Sequence, residues 1–282
     1  MRWRAEPDLA TYARRVLPCL LVDPVRNNVA CTLIQSRLDG MTPLEPDALW
    51  LHDNGPDGPT AVALRTPPRA LLVTDMSKAA VDALADHLAP AELPGVNGPN
   101  MVADRFALRY ASATGACAYP GKAFRMFRLD AVTAPTPLPA GRLREATPAD
   151  RDLLVEWVDA FIREALPDDP PGDPAGPVDG RLARGGLLWV WEAGGEPVST
   201  AYLTVPVVGV TRVSGVYTPP RLRGRGYASA CVALMSQRAL DAGALACMLY
   251  TDLSNPTSNK IYQAIGYRPV ADTREWRFSR TG

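Results

Sequence analysis

The sequence predicts an α/β (α+β) protein built from two domains. A chain of 282 residues is long enough for two domains of ordinary size. A proline-rich segment, residues 135–141, interrupts the chain near its middle, and such a segment cannot continue a helix or a central strand. After it, short apolar runs alternate with segments of helical spacing. We therefore predict domains over residues 1–134 and 142–282, with residues 135–141 as the linker.

Composition excludes several classes of protein. Hydrophobic residues make up 47% of the chain and charged residues 21%, so a core can form without disulfides or metal. The 30 basic and 30 acidic residues cancel, which argues against a nucleic-acid or membrane-surface partner. No apolar run is long enough to span a membrane. The five cysteines and two histidines have no metal-ligand spacing. An odd cysteine count and the lack of a leader at the start predict a cytoplasmic protein without metal.

The second domain begins with an antiparallel pattern. Residues 142–146 predict a short strand, and Thr147 with Pro148 and Asp150 predicts the start of a helix that runs to Ala165. Residues 166–180 hold five prolines and four aspartates and predict a long loop. Two strands, residues 187–192 and 198–206, are joined by a glycine pair typical of a hairpin.

The pattern then changes to strand, helix, strand, helix and strand. Residues 211–218 are β-branched, residues 226–242 keep helical spacing, and residues 244–250 form a short apolar run. Asn255 and Pro256 open a further helix. A strand, a helix and a strand in this order predict a crossover between two parallel strands.

An anion site is predicted where the first of these strands meets its helix. Gly224 and Gly226 allow an anion to approach the backbone, and free amide groups point to one spot at the positive end of the helix dipole. Arg221, Arg223 and Arg225 add positive charge. The sequence does not match a P-loop, because no Lys-Ser/Thr pair closes the glycine run. It does not match a dinucleotide-binding fingerprint either, because Ser229 stands where that motif needs glycine or alanine. A solvated basic turn before a core helix is the alternative.

Two motifs stand on either side of the strand 244–250. The first is Arg221-x-x-Gly224-x-Gly226 after the strand ending at Thr218. The second is Asn255-x-x-Ser258-Asn259-x-x-Tyr262-x-x-x-Gly266-Tyr267. Both resemble motifs of the Gcn5-related N-acetyltransferase (GNAT) superfamily. The resemblance implies two tandem acetyltransferase-like domains, each a mixed, largely antiparallel sheet flanked by helices. In each, a parallel strand pair would be splayed to hold coenzyme A, with acetyl-CoA or another short acyl-CoA as co-substrate.

The resemblance also implies a role for each site residue. The pantetheine arm would pair with the backbone of Val216 and Thr218, and an amide of Val216 or Tyr217 would hold the acyl carbonyl. The remaining cofactor-binding residues are Arg221, Arg223, Gly224, Arg225, Gly226, Tyr227, Ala228 and Ser229 around the pyrophosphate and Asn255 and Asn259 beside the arm.

Tyr262 is the predicted catalytic acid. It lies one turn beyond Asn259 on the same helix face, and a phenol is protonated at neutral pH, so it can protonate the departing thiolate. Packing between helix and sheet is the alternative role. No acid stands on the strand 211–217, so the base stays open between a water chain and Asp159, Glu164 or Glu192. Cys231 and Cys247 lie in apolar segments without a histidine, which disfavours an acyl-cysteine route.

The first half is predicted to be a degenerate copy. Helices near residues 9–17, 28–38 and 78–88 and strands near 61–64 and 70–74 repeat the later order loosely. The strand ending at Thr74 is followed by Asp75-Met76-Ser77-Lys78, without glycine, which would bind pyrophosphate weakly. His52 and His87 stand alone and are read as structural or surface residues.

The predicted function is an N-acyltransferase, in the first place an N-acetyltransferase, that acts on a primary amine of a small molecule, peptide or protein. Asp168, Asp169, Asp173 and Asp179 of the acidic loop could attract a cationic amine. An acyl-CoA-binding sensor without turnover is the alternative. Single-stranded nucleic-acid binding is disfavoured, because the arginine turn lacks interleaved aromatic residues. The sequence does not specify an oligomeric state.

Overall fold

The computed structural model describes residues 2–165 and 172–279. The chain divides into two compact units. Unit 1 comprises Met1–Met126, Thr251–Ser254 and Val270–Gly282, and unit 2 comprises Phe127–Tyr250 and Asn255–Pro269.

Helices and strands are mixed along the described residues. Up to the predicted linker they are β1 (Trp3–Ala5), α1 (Leu9–Leu20), α2 (Asn28–Leu38), β2 (Leu49–Asp53), β3 (Val62–Arg65), β4 (Leu71–Val73), α3 (Lys78–Leu88), β5 (Gly95–Pro99), α4 (Asn100–Thr114) and β6 (Cys117–Leu129). After it they are β7 (Arg142–Glu145), α5 (Arg151–Ala165), α6 (Ala175–Leu182), β8 (Leu188–Ala193), β9 (Glu196–Leu203), β10 (Val210–Tyr217), α7 (Tyr227–Asp241), β11 (Ala246–Asp252), α8 (Pro256–Ala264) and β12 (Arg268–Ser279).

In unit 1 the strand order is β1-β2-β3-β4-β5-β12-β6, where β6 belongs to this unit up to Met126. From β1 to β12 in this order, neighbouring strands are antiparallel except for β4 and β5, which are parallel with Leu71 opposite Val96. Helix α3 connects these two strands and packs with α4 on an apolar core that includes Leu84 and Phe106. Unit 1 therefore contains one strand–helix–strand crossover.

In unit 2 the strand order is β11-β10-β9-β8-β7. β10 and β11 are parallel, as predicted, and the other pairs are antiparallel. Helix α7 covers one face of the sheet with a buried row of small and apolar residues, among them Ala230, Val232 and Met235. Leu154 and Trp157 of α5 and Val178 of α6 pack in a separate cluster with β8 and Tyr217. The predicted mixed, mostly antiparallel α/β architecture is confirmed.

Long-range pairing divides the chain differently from the predicted boundaries. Val270–Gly282 belongs to unit 1, because β12 pairs with β5, and Thr273 lies opposite Pro99. The predicted linker lies inside unit 2, where Trp191 Nε1 donates to the carbonyl of Ala140 at 3.2 Å. Local sequence does not reveal a partner strand so far along the chain. The functional assignment of the two halves stays a prediction.

The predicted loop 166–180 is only partly a loop. Ala175–Leu182 forms α6, which buries Val178, and Asp173 accepts hydrogen bonds from the amides of Ala175 and Gly176. A helix with one buried residue leaves little periodic signal, and the prolines obscured it. Asp168 and Asp169 lie outside the described residues. The predicted helix start at Thr147 is confirmed, since Thr147 and Asp150 form a capping box.

Across residues 2–165 and 172–279, no helix is both long and apolar enough to cross a membrane. The same residues contain no group of three or more metal-ligating side chains.

Candidate functional site

The site lies where two parallel strands of unit 2 part. β10 and β11 are in register at three positions, from Val210 opposite Ala246 to Arg212 opposite Met248. β10 continues to Tyr217, beyond the last of these pairs. The backbone beyond Arg212 is therefore available to pair with something other than β11.

A bulge redirects the same part of β10. Ser214 lies opposite Tyr202 of β9, but Tyr217 lies opposite Thr200, so two residues of β10 face one of β9. Such a bulge leaves one residue outside the ladder and turns the strand. Gly215 has a φ of +56° and lies under the Tyr202 ring, which leaves no room for a Cβ atom. The bulge thus turns the backbone of half-buried Val216 out of regular pairing.

A buried hydroxyl pair fixes the end of the strand. Ser199 Oγ donates to the carbonyl of Tyr217 at 3.1 Å and lies 2.9 Å from Thr218 Oγ1. Tyr217 and Thr218 are each 9% exposed. The side chain of Thr218 is therefore used internally, and its carbonyl accepts from Arg223, so its backbone amide is the group left for a ligand.

The predicted phosphate turn has the backbone that an anion site needs. Gly224 and Gly226 have φ values of +76° and +79°, which a residue with a side chain adopts only with strain. Gly226 is the N-cap of α7, and no side chain caps the helix there. The first amides of α7, those of Tyr227, Ala228 and Ser229, are left to a ligand or to water. This uncapped turn fits a pyrophosphate group, which would accept hydrogen bonds from those amides.

The three arginines of the turn differ in their contacts. Arg223 donates to the carbonyl of Thr218 at 2.8 Å and to Glu164 at 2.7 Å, and it lies over the Tyr217 ring. It braces the turn. Arg221 and Arg225 are exposed, and neither forms an ion pair with a residue that the structure describes. These two carry the charge that a phosphate group can reach.

Helix α8 brings the second predicted motif to unit 2. Asn255 is its N-cap and accepts from the amide of Ser258 at 3.0 Å, and Asn259 Nδ2 donates to the carbonyl of Asn255 at 2.7 Å. Both asparagines thus organise the first turn of α8, and Asn255 keeps its amide donor.

Tyr262 lies deeper, 9% exposed, with its ring 5.9 Å from that of Tyr267. Burial raises the pKa of Tyr262 to about 12. Its hydroxyl forms no hydrogen bond within residues 2–165 and 172–279. The geometry supports a protonated phenol with a free donor, and the ring also contributes to packing.

All three candidate bases are held by arginines. Glu192 accepts from Arg144 at 2.5 Å and from Arg142 at 2.9 Å, which holds the pKa of this carboxyl below its usual value. Glu164 pairs with Arg223, and Asp159 lies 2.9 Å from the Arg163 guanidinium. The lowered pKa makes Glu192 a weaker base.

Cys231 and Cys247 are buried, and burial raises the pKa of each thiol to about 12. A thiol with so high a pKa is a poor nucleophile at neutral pH.

Sequence reasoning missed the bulge and two arginines, Arg181 of α6 and Arg212 of β10. The signal for the bulge was Gly215 inside a β-branched strand. The signal for the arginines was Arg212, a charged residue inside the same strand, with Arg181 following the aspartate-rich segment.

The comparisons with known proteins agree with this geometry. The sequence model of the acetyltransferase (GNAT) family matches residues 152–267. A GCN5-related N-acetyltransferase from Sphaerobacter thermophilus is 19% identical, with 100% of this chain and 97% of that chain covered and a TM-score of 0.64. A GNAT-family acetyltransferase from Colwellia psychrerythraea is 12% identical, with both chains covered completely and a TM-score of 0.59. A Drosophila protein is 11% identical, with 99% of each chain covered and a TM-score of 0.69. No curated protein matches the chain.

Proposed function

The chain belongs to the GNAT family of acetyltransferases, and we propose that it transfers an acetyl group from acetyl-CoA to a primary amine by direct attack in a ternary complex. The observation that carries the proposal is the uncapped start of α7, where two left-handed glycines and free amides follow the strand that parts from β11.

Each part of acetyl-CoA is assigned to a different part of the site. The amides of Tyr227, Ala228 and Ser229, with Arg221 and Arg225, would hold the pyrophosphate. The backbone of Val216 and Thr218 would pair with the pantetheine arm, and Asn255 would flank it. Acetyl-CoA supplies the activated acyl group as a thioester.

The transfer forms one C–N bond and breaks one C–S bond. The amine lone pair attacks the carbonyl carbon, and the amide of Val216 or Tyr217 stabilises the negative charge that develops on the carbonyl oxygen. The leaving thiolate takes the phenolic proton of Tyr262, and the amine gives its proton to water, since the nearby carboxylates are engaged by arginines.

The pairing of these carboxylates with arginines also favours a second candidate function, an acyl-CoA-binding sensor without turnover. Glu164, Glu192 and Asp159 are all paired, so none of these three candidate bases is poised to take the proton of the amine.

Calorimetry and a thiol-release assay test both proposals. We expect acetyl-CoA to bind with one molecule per chain and free thiol to appear only when a primary amine is added. Binding without thiol release across a broad panel of amines would favour the sensor, and absence of binding would refute both.

A further inference from the structure

Two arginines lie together on the sheet of unit 2 without an acidic partner among the described residues. Arg181 belongs to α6, and Arg212 belongs to β10. No carboxylate of residues 2–165 or 172–279 lies within 4.0 Å of either guanidinium group. Most other arginines in unit 2 with comparable burial, such as Arg144, are paired with acids. The absence of a counter-charge here calls for a physical explanation.

Strand register shows that two tyrosines surround these arginines. Tyr202 lies opposite Ser214, two residues from Arg212, and Met248 lies opposite Arg212, two residues from Tyr250. Residues two apart on a strand share a face, so Arg212 stands between Tyr202 and Tyr250. The guanidinium carbon of Arg181 lies 3.7 Å from the centre of the Tyr202 ring. Stacking on an aromatic face leaves the edge of a guanidinium group free for hydrogen bonds.

The hydrogen bonds of this cluster are incomplete. Arg181 donates one bond, to the carbonyl of Pro177 at 2.6 Å, while its Nε is buried and has no acceptor among the described residues. The guanidinium group of Arg212 donates to none of the described residues. Burial lowers the pKa of both groups, and in Arg181 the nearby Arg212 adds to this effect. Like charges at low dielectric repel each other, so an anion between them would be strongly favoured.

The cluster is open enough for a ligand and lies along the strand that leads to the acyl site. Arg181, Tyr202, Arg212 and Tyr250 are each partly exposed. From Arg212 the same face of β10 continues through Ser214 to the bulge, after which Tyr217 takes that face, and the Cα atoms of Arg212 and Val216 are at most about 13 Å apart at the usual rise of a strand. A ligand with an anion at one end and an amine at the other could bridge this span, because arginine side chains are long.

We propose that Arg181 and Arg212 bind an anionic group, a carboxylate or a phosphate, on the amine that receives the acyl group. This inference deepens the proposed function and rests on it. The acceptors are amines that also carry an anionic group. The arginine pair binds that group while the amine reaches the acyl carbonyl. Planar guanidinium groups suit both anions, because they donate two parallel hydrogen bonds to adjacent oxygens.

Matched acceptors test the proposal through turnover. ω-Amino acids from glycine to 6-aminohexanoate are compared with alkylamines of equal length, and ethanolamine phosphate is compared with ethanolamine. Hydrogen bonds to a charged group contribute enough for us to expect kcat/KM to favour the anionic member by roughly 10- to 100-fold. In Arg212→Met and Arg181→Met this preference should fall towards one, while kcat/KM for the neutral amine changes by only a few-fold. The carboxylate and phosphate pairs show which anion the site prefers.

Arg238→Met is the control, because Arg238 also lies over an aromatic ring, that of Trp189, but projects from α7. It should keep the full preference. Equal kcat/KM for charged and neutral amines in the wild-type enzyme, with robust turnover, would overturn the anion site and leave the proposed function standing.

A binding measurement separates the two proposals if no amine is turned over. Without acetyl-CoA, 4-aminobutyrate or ethanolamine phosphate should raise the Tm of the wild-type protein but not that of Arg212→Met. The unliganded Met variants should melt at or above the wild-type temperature, because a buried charge without a partner is removed. A Tm lowered by several degrees would show that the arginines stabilise the unliganded fold, and that result would overturn the proposal. No Tm shift in the wild-type protein would also overturn it.

Discussion

Each unit of the molecule contains one strand–helix–strand crossover, and the two differ where the helix begins. In unit 1, Ser77 caps α3 by accepting from the amide of Ala80 at 3.2 Å, and Asp75 pairs with Arg26 at 3.1 Å. In unit 2, Gly226 leaves the start of α7 uncapped. The crossover helix of unit 1 thus begins with a side-chain cap and that of unit 2 begins without one, so the second leaves more free amides for an anion.

The strands on either side of these helices differ as well. In unit 1, Gly98 of β5 lies against Val73 of β4 so closely that an added Cβ would meet the side chain of Val73 and, at 2.7 Å, its carbonyl oxygen. In unit 2 the register between β10 and β11 ends at Arg212 and Met248. We expect a parallel crossover to bind coenzyme A only when its helix start is free and its strands part. We therefore propose that unit 1 does not bind acetyl-CoA.

The largest expected effect comes from Gly226→Glu. A carboxylate at the start of α7 would occupy the place proposed for the pyrophosphate, so acetyl-CoA binding should be abolished, as measured by calorimetry. The nearest atoms to a Cβ at this position belong to Pro139 at 3.9 Å, so the side chain fits and the fold should survive.

The control for backbone strain is Gly243→Glu. Gly243 follows α7, has a φ of +96° and has open space around it, so the substitution imposes a comparable strain at the other end of the same helix. It should leave acetyl-CoA affinity unchanged. Unchanged affinity in Gly226→Glu would refute the turn as the cofactor site, and a stoichiometry of two in the wild-type protein would refute the proposal for unit 1.

Tyr262→Phe sharpens the comparison at the helix that follows each crossover, α4 in unit 1 and α8 in unit 2. Tyr262 stands seven residues after the N-cap of α8, and Phe106 stands at the same distance after the N-cap of α4. The variant thus places in α8 of unit 2 the phenyl ring that α4 of unit 1 has at the equivalent position. Loss of a general acid should lower kcat roughly 100- to 10,000-fold while acetyl-CoA affinity stays the same.

The pH profile provides an independent check on Tyr262. Burial raises its pKa to about 12, so the hydroxyl keeps its proton throughout the neutral and mildly alkaline range and kcat should not fall there through its ionisation. Turnover of Tyr262→Phe within a few-fold of wild type would remove Tyr262 as the acid. A joint loss of stability and binding would assign it to packing.

The contrast between the units shows what the sequence could and could not predict. The R-x-x-G-x-G motif predicted the start of α7, and the motif that begins with Asn255 predicted the start of α8. Both succeeded because they depend on local backbone chemistry: glycines at positive φ and an asparagine N-cap. The pairing of β12 with β5 was not predictable, since it depends on strands far apart in the chain. The arginine braces on Glu164 and Glu192 were missed for the same reason.

Gly98→Ala tests whether close contact between β4 and β5 matters to unit 1. The added methyl group would push β5 away from Val73, and forcing extra volume into a packed site costs about 1–3 kcal/mol. Urea unfolding should show that loss. Gly172→Ala is the control, because a Cβ there meets nothing within 4 Å and the free energy of unfolding should hardly change. A neutral Gly98→Ala would mean that β4 and β5 can part without cost.

The smallest expected effects separate two helix caps that use the same chemistry. Ser77 caps α3, and Asn255 caps α8 by accepting from the amide of Ser258. Replacing either residue with alanine should lower the free energy of unfolding by about 1 kcal/mol, because a helix amide loses its acceptor. Ser77→Ala should leave acetyl-CoA affinity unchanged, whereas Asn255→Ala should also weaken it, since Asn255 is proposed to flank the pantetheine arm. Calorimetry on both variants decides the point: equal affinities would limit Asn255 to capping, and weaker binding in Ser77→Ala would show that unit 1 contributes to the site after all.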